Sequence, residues 1–344
     1  MKGERLKTAV KYVIAVAAAL IIGGCGLQST EKKIPADTGK PKELLTVNFK
    51  QSKVLRYKFV SSRQIEILLE DNTGKAGGEK SRYTESLEMI VAYKPVKVEP
   101  NGLSIIEATC ESIIAQTAVG SSRKEAAKNF AGKSFRFTVG PTGKIEDRTE
   151  LQKLLKEVAE TAFRPDNQHG RIKEPDLISD IIATQWFLWD SISSKGEPQK
   201  GVAVGDSWQS QLSTPSPMPG LLSAGRDVVY TLEDVNDAGS EKIAVISSEF
   251  SLSKSPLKDR FVPYTGSFMM SGPFGLYGNC RIVELAGKGQ ELLNIDAGES
   301  IGYWQDYEMK VVAVMAMIPI TPRINIKQHL SMQIIEEPKN QNKP

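Results

Sequence analysis

The sequence predicts an α+β fold: mostly antiparallel β meanders that form a curved sheet or half barrel, with two central helices. Three observations predict it. Apolar and polar residues alternate over most of the chain, as in Leu55, Tyr57 and Phe59 or Leu87, Met89, Val91 and Tyr93, which is the period of a strand with one buried face. The alternating runs are joined by short turn sequences, as antiparallel neighbours require. Between 148 and 193 the period lengthens to that of a helix.

The strands come first. Leu103-Ser104-Ile105 opens a strand after the turn Pro100-Asn101-Gly102. NTGKAGG at 72–78, GPTG at 140–143, NDAGS at 236–240 and DAGES at 296–300 are further turn signals. Gly140 and Gly143 bracket Pro141-Thr142, a tight turn with a glycine free to take positive φ. Late in the chain, Tyr307, Met309, Val311, Ala313 and Met315 share one face. So do Ile324, Ile326, Leu330, Met332 and Ile334, with Gln328 interrupting. Leu151, Leu154, Leu155, Val158 and Ala162 follow helical spacing, with Asp147 and Glu150 placed as a capping box. The second helix is expected over 176–193, its broad apolar stripe widened by Trp186 and Phe187.

The amino terminus carries an address. Lys2, Arg5, Lys7 and Lys11 precede an apolar run from Val13 to Ile22, and Gly23-Gly24-Cys25 follow. The run is shorter than the roughly 20 residues a membrane span needs, and its layout is that of a secretory signal. Ile22-Gly23-Gly24-Cys25 resembles a bacterial lipobox, which implies that Cys25 is lipidated and becomes the first mature residue. Residues 1–24 are then the signal and 25–44, polar with two prolines, a tether. A β-rich domain spans 45–338, either as one unit or as halves 45–147 and 202–338 joined by the helices, before a tail at 339–344. Removing residues 1–24 takes four basic groups and one acidic group from the 44 and 41 of the whole chain, which leaves a neutral protein. That balance argues against nucleic acid as a partner.

Two pieces, FRFTVGPTGKIEDRTEL at 135–151 and VAVGDSWQSQL at 202–212, resemble a group of uncharacterised bacterial exported lipoproteins that share a V-G-D-S-W strand motif. The plan as a whole resembles the half barrels of lipoprotein carriers and receptors. Neither likeness supplies catalytic residues. Read locally, Gly205-Asp206-Ser207 makes an Asx-type turn and Trp208 faces the core.

No catalytic or metal-binding set is evident. His169 lies in a loop and His329 on the polar side of the last strand, neither with an adjacent ligand-like partner; zinc sites use closely spaced His or Cys pairs. GKAGGEKS at 74–81 lacks the spacing of a phosphate-binding loop, and Ser267 lies in a glycine-rich loop with no evident base. Asp296 with Glu299, and Asp306 with Glu308, read as solvated surface. Cys110 and Cys280 can pair in an oxidising compartment or stand as separate buried thiols. GSFMMSGPFGLYGN at 266–279 offers Met269, Met270, Phe274 and Tyr277 as a flap over an apolar ligand, with Trp186 and Trp189 as the other wall.

The expected protein is therefore a non-enzymatic lipoprotein of the bacterial cell envelope, without a cofactor. Lipid would anchor it to the membrane: the outer membrane or periplasmic face in a diderm, the outer face of the cell membrane in a monoderm. Its curved sheet would bind a hydrophobic ligand or an envelope protein. A purely structural envelope component and a hydrolase are the alternatives.

Overall fold

The computed structural model describes residues 41–71, 80–117, 130–143, 145–147, 149–150, 153, 201–213, 225–239, 241–254, 279–314 and 320–335. In chain order the strands are β1 (Lys42–Glu43), β2 (Leu55–Asp71), β3 (Ser81–Val98), β4 (Ser104–Thr117), β5 (Ser134–Val139), β6 (Ile145–Asp147), β7 (Val202–Ala203), β8 (Ser207–Ser213), β9 (Gly225–Ala238), β10 (Glu241–Leu252), β11 (Asn279–Asn294), β12 (Glu299–Val314) and β13 (Ile320–Ile335). Eleven of them form one antiparallel sheet in the order β6-β5-β4-β3-β2-β13-β12-β11-β10-β9-β8, and β1 pairs with β7.

This corrects the expected class. The described elements are all strands, so α+β gives way to an antiparallel β architecture. The expectation is of two helices at 148–193 joining the β-rich parts. Instead, the strands before 148 and after 201 join directly, because β13 pairs with β2 along sixteen residue pairs from Ile320↔Asp71 to Ile335↔Arg56. Most of the helical span, 154–193, lies outside the described residues. At its start Asp147 Oδ1 accepts from the Thr149 N–H (3.0 Å), as an N-cap does, but Glu150 Oε2 accepts from the Arg136 N–H of β5 (2.9 Å). The second acid of the expected capping box thus covers a sheet-edge donor.

The alternation fixes one inner face. Phe59, Met89, Tyr93, Ile106, Val139, Leu232, Ile246, Met309, Ile326 and Leu330 are all at most 2% exposed. Aromatic rings cross the strands on this face: Tyr57 and Phe59 meet Tyr93 (centroids 5.7 and 6.4 Å), and Tyr93 meets Phe137 edge-on at 5.9 Å. Tyr93 reaches Phe137 because its cross-strand neighbour on β4 is the small Ala108. As expected, Trp208 packs against the core, stacked on Tyr230 at 5.5 Å.

The segment 45–49 shows how far the sheet curls. The Val47 N–H donates to Pro141 O in the turn after β5, and the next N–H, of Asn48, donates to Gly298 O in the turn after β11 (3.0 and 2.9 Å). In a flat sheet those turns would stand six strand spacings apart, about 29 Å. Here two adjacent residues span them. Leu45, Val47 and Phe49 are buried in the same cluster as Leu55 and Met332, so this strap closes one end of the inner face. It holds on through Glu43 to Lys242 (2.8 Å) and through Lys53 to Glu299. Lys42 and Glu43, read from composition as tether, are strand. Glu299, read as solvated, is buried at 6% exposure. Tyr57 Oη donates to Ser300 O beside it (3.0 Å), and burial, then the Glu299 charge, pushes the phenol far above its ordinary pKa.

The turns behave as their glycines require. Gly143 N–H donates to Gly140 O with φ +84°, and Gly102, at the same φ, donates to Glu99 O. At GDSW, Asp206 Oδ2 accepts from the Ala203 N–H three residues back rather than from a following amide.

Candidate functional site

The inner face is not uniformly apolar. A polar belt crosses its middle: Tyr307 Oη donates to Gln328 Oε1, and Gln328 Nε2 donates to Ser61 Oγ (3.1 Å). Arg226, fully buried, lies over the Phe250 ring at 4.8 Å and reaches Gln305 Oε1 at 3.4 Å. On β11, Gly287 and Gly289 pair with Tyr307 and Gln305 of this belt. A Cβ at Gly287 would sit 2.6 Å from Asp306 O and from Tyr307 Cβ; one at Gly289 would sit 2.7 Å from Trp304 O. Glycine here lets the strands close up. A coiled, twisted sheet that is concave across its strands on one face is concave along them on the other.

That second concavity is the candidate site. A groove of about 1160 Å³ crosses the outer, polar face from β10 to β4. Two cross-strand rows line it. In the first, Glu249 faces Lys288, Lys288 faces Asp306 and Asp306 faces His329. The same row continues through Ser62, Ser86 and Gln116. In the second, Glu308 faces Lys327, which faces Gln64 and then Thr84. The groove thus sets three carboxylates (Glu249, Asp306 and Glu308) against two lysines (Lys288 and Lys327) over β10–β13, and its outward side chains over β2–β4 are hydroxyl and amide groups.

Its charges are not all spoken for. Lys327 is 4.0 Å from Glu308, and His329 Nδ1 lies 2.7 Å from Asp306 Oδ1. Lys288 and Glu249 have no ion pair among the described residues. Just outside the groove the contrast is plain. Hydrogen bonds from Lys80 and Arg82 hold the Glu66 carboxyl down at about 2, and Glu284 raises the pKa of Lys310.

The groove was not foreseen from sequence. His329 does sit on the polar side of β13, but it has the partner that sequence reading denied it. The signal was available in the β12–β13 hairpin: its register is constant from Gly302↔Gln333 to Val312↔Arg323, and the two alternating faces already read there place Asp306 opposite His329. Asp306 and Glu308 are on the outer face as expected.

The other sequence candidates fare differently. Cys25, Met269, Met270, Phe274, Tyr277, Trp186, Trp189, His169 and Ser267 lie outside the described residues. Cys110 is a buried free thiol on β4, and Cys280 opens β11 with four strands between them in the sheet order. Burial, then the neighbouring Glu111, pushes the Cys110 thiol up to about 12. It should therefore resist an aromatic disulfide reagent at pH 8 in the native protein and react at once in denaturant; fast native reaction at a mapped Cys110 would contradict its placement. Where the interior meets the strap, the cavity beside Val47, Phe49 and Met332 holds only about 10 Å³, room for no more than about one water. No groups of His, Cys, Asp or Glu placed to hold a metal ion occur among the described residues.

Comparison with known proteins gives a family. No curated protein matches the sequence. Among solved structures, lipovitellin aligns over 84% of this chain and 26% of its own at 7% identity, with a TM-score of 0.46. The Pseudomonas aeruginosa protein OccK5 (OpdH) aligns over 82% of this chain and 98% of its own at 8% identity, with a TM-score of 0.19. The chain thus spans about a quarter of the lipovitellin chain it matches. A family profile matches residues 85–271, more than half of the 344 residues, a span that contains both 135–151 and 202–212. The chain belongs to DUF6263, a family of unknown function.

Proposed function

We propose that this protein is a lipid-anchored component of the bacterial envelope that binds a polar partner through the groove on the outer face of its curved sheet. One observation carries the reading. Space large enough for a ligand lies on the polar face, where rows of side chains from seven strands line about 1160 Å³. Next to the strap the apolar interior leaves only about 10 Å³. This favours an envelope protein or another polar partner over the hydrophobic ligand. The anchor rests on Ile22-Gly23-Gly24-Cys25 and on the strap, which ties the chain soon after Cys25 to one end of the sheet.

The groove faces outward with charges of both signs interleaved and one carboxylate in excess, so binding would rest on matched hydrogen bonds and local ion pairs rather than on a long-range field. A photo-crosslinking residue at Ser86 should give a discrete adduct in cells, weakened by Lys288→Glu with Lys327→Glu. The same residue at Asp237, near the end of β9, should give none. Equal adducts at both positions, or indifference to the charge reversals, would end the groove reading. Cys25→Ala should move the protein from the membrane to the soluble fraction and abolish acyl labelling; retained labelling removes the anchor.

A further inference from the structure

We infer that the groove carries an acyl-transfer centre in which Ser62 is the nucleophile, His329 its base and Asp306 the residue that positions the base. The three lie side by side on neighbouring strands of one face: Asp306 on β12, His329 on β13 and Ser62 on β2, in direct register. Asp306 Oδ1 is 2.7 Å from Nδ1 of His329. A carboxylate there fixes the tautomer with its proton on Nδ1, so the basic Nε2 points away from Asp306. The strand on the other side of β13 is β2, and its residue at this level is Ser62.

Ser62 is half-buried and is not hydrogen-bonded to His329 in the resting structure. Side chains in register across antiparallel strands have Cβ atoms about 4.5–5.5 Å apart, so a χ1 rotation of the serine closes the gap. Bonds between nucleophile and base are commonly long before substrate binds. Ser62 is on a strand, and Ser62, Asp306 and His329 are far apart in sequence and meet only through sheet register.

The second row supplies the electrostatic partner. Lys327 and Gln64 face one another one pleat along the same strands, two residues from His329 and Ser62 respectively. A carbonyl lying between the rows would present its carbon to Ser62 and its oxygen to the Lys327 ammonium and a Gln64 N–H. Of the two amide protons of Gln64, one is given to Glu66 (3.1 Å) and the other remains.

The steps balance with water as the co-reactant. Ser62 Oγ bonds to the carbonyl carbon of an ester as its proton passes to Nε2 of His329. The bond to the leaving alkoxide then breaks, and the alkoxide takes that proton. Water attacks the acyl-serine in the same way, releasing the acid and restoring Ser62–OH. The interleaved charges, with one carboxylate in excess, and the hydroxyl-rich floor of the groove disfavour an anionic substrate and select an ester of a polar, uncharged molecule.

The site is the groove of the proposed binding function, and its test separates the two. The detergent-solubilised full chain is treated with a biotinylated fluorophosphonate, and turnover of p-nitrophenyl acetate is followed. The label is expected on the peptide containing Ser62 and is expected to vanish in Ser62→Ala. His329→Gln should lower turnover by about 10²–10⁴-fold. Asp306→Asn should lower kcat with KM unchanged, as a positioning residue does. All variants should keep the wild-type melting temperature, since the three side chains are on the outer face. An unlabelled Ser62 in the wild type, or turnover that persists in Ser62→Ala as plain imidazole catalysis, overturns the centre. If the Ser86 adducts survive that result, the binding function stands without it.

Discussion

Replacing Phe59 by alanine is expected to destabilise the protein by about 3–5 kcal/mol, a large share of the 5–15 kcal/mol that domains usually possess. Phe59 is fully buried on β2, near the middle of the sheet order. It contacts Tyr57 at 6.3 Å and Tyr93 at 6.4 Å between centroids, and Tyr93 carries the contact on to Phe137. Removing the ring leaves a void in a lattice of rings that spans β2 to β5. That lattice cannot collapse, because each ring is set by a strand register. Ile114→Ala is the matched control. Ile114 is 56% exposed on the outer face, and its loss should fall within about 0.5 kcal/mol. Denaturant melts of both variants, with m-values compared, decide it. A loss under about 1 kcal/mol for Phe59→Ala would mean that the rings are loosely packed.

The two faces were legible in the sequence because a strand's period is local. Tyr307, Met309 and Val311, and Ile324, Ile326, Leu330 and Met332, fall on the inner face as their alternation indicates. Gln328 interrupts the run because the inner face has a polar belt, which one strand's sequence cannot show. The pairing of β13 with β2 was not legible. The bond from Gln328 to Ser61 joins residues 267 positions apart, and nothing local marks such partners. The groove inherits that difficulty. Its first half, Asp306 opposite His329, lies on two strands consecutive in the chain, whereas its Ser62 half requires the long-range pairing. The helical period at 148–193 misdirected the fold class for a related reason. Periodicity states what a segment can become, but the layer it joins is set by the strands around it. Here the strands before 148 and after 201 pair with each other through β2 and β13.

Gly287→Val is the substitution expected to couple stability to the groove most directly. Gly287 is an inward position on β11, paired with Tyr307 on β12 and Phe250 on β10. An added Cβ would stand 2.6 Å from Asp306 O and from Tyr307 Cβ and 3.0 Å from Tyr307 Cα. Two of those atoms are backbone, so no rotamer relieves the clash, and β11 and β12 must separate. Overpacking of this kind typically costs about 1–3 kcal/mol. Because the next residues on either side, Ala286 and Lys288, line the groove, the same displacement moves Lys288 away from Asp306. Two readouts should therefore change together: a melting temperature lowered by several degrees, and a weakened Ser86 adduct. Val229→Ala, an exposed outer-face change on β9, should alter neither. If Gly287→Val keeps the wild-type melting temperature, the close approach at β11 is not what shapes the sheet. If it melts early yet binds normally, the curvature that forms the groove resides in other strands.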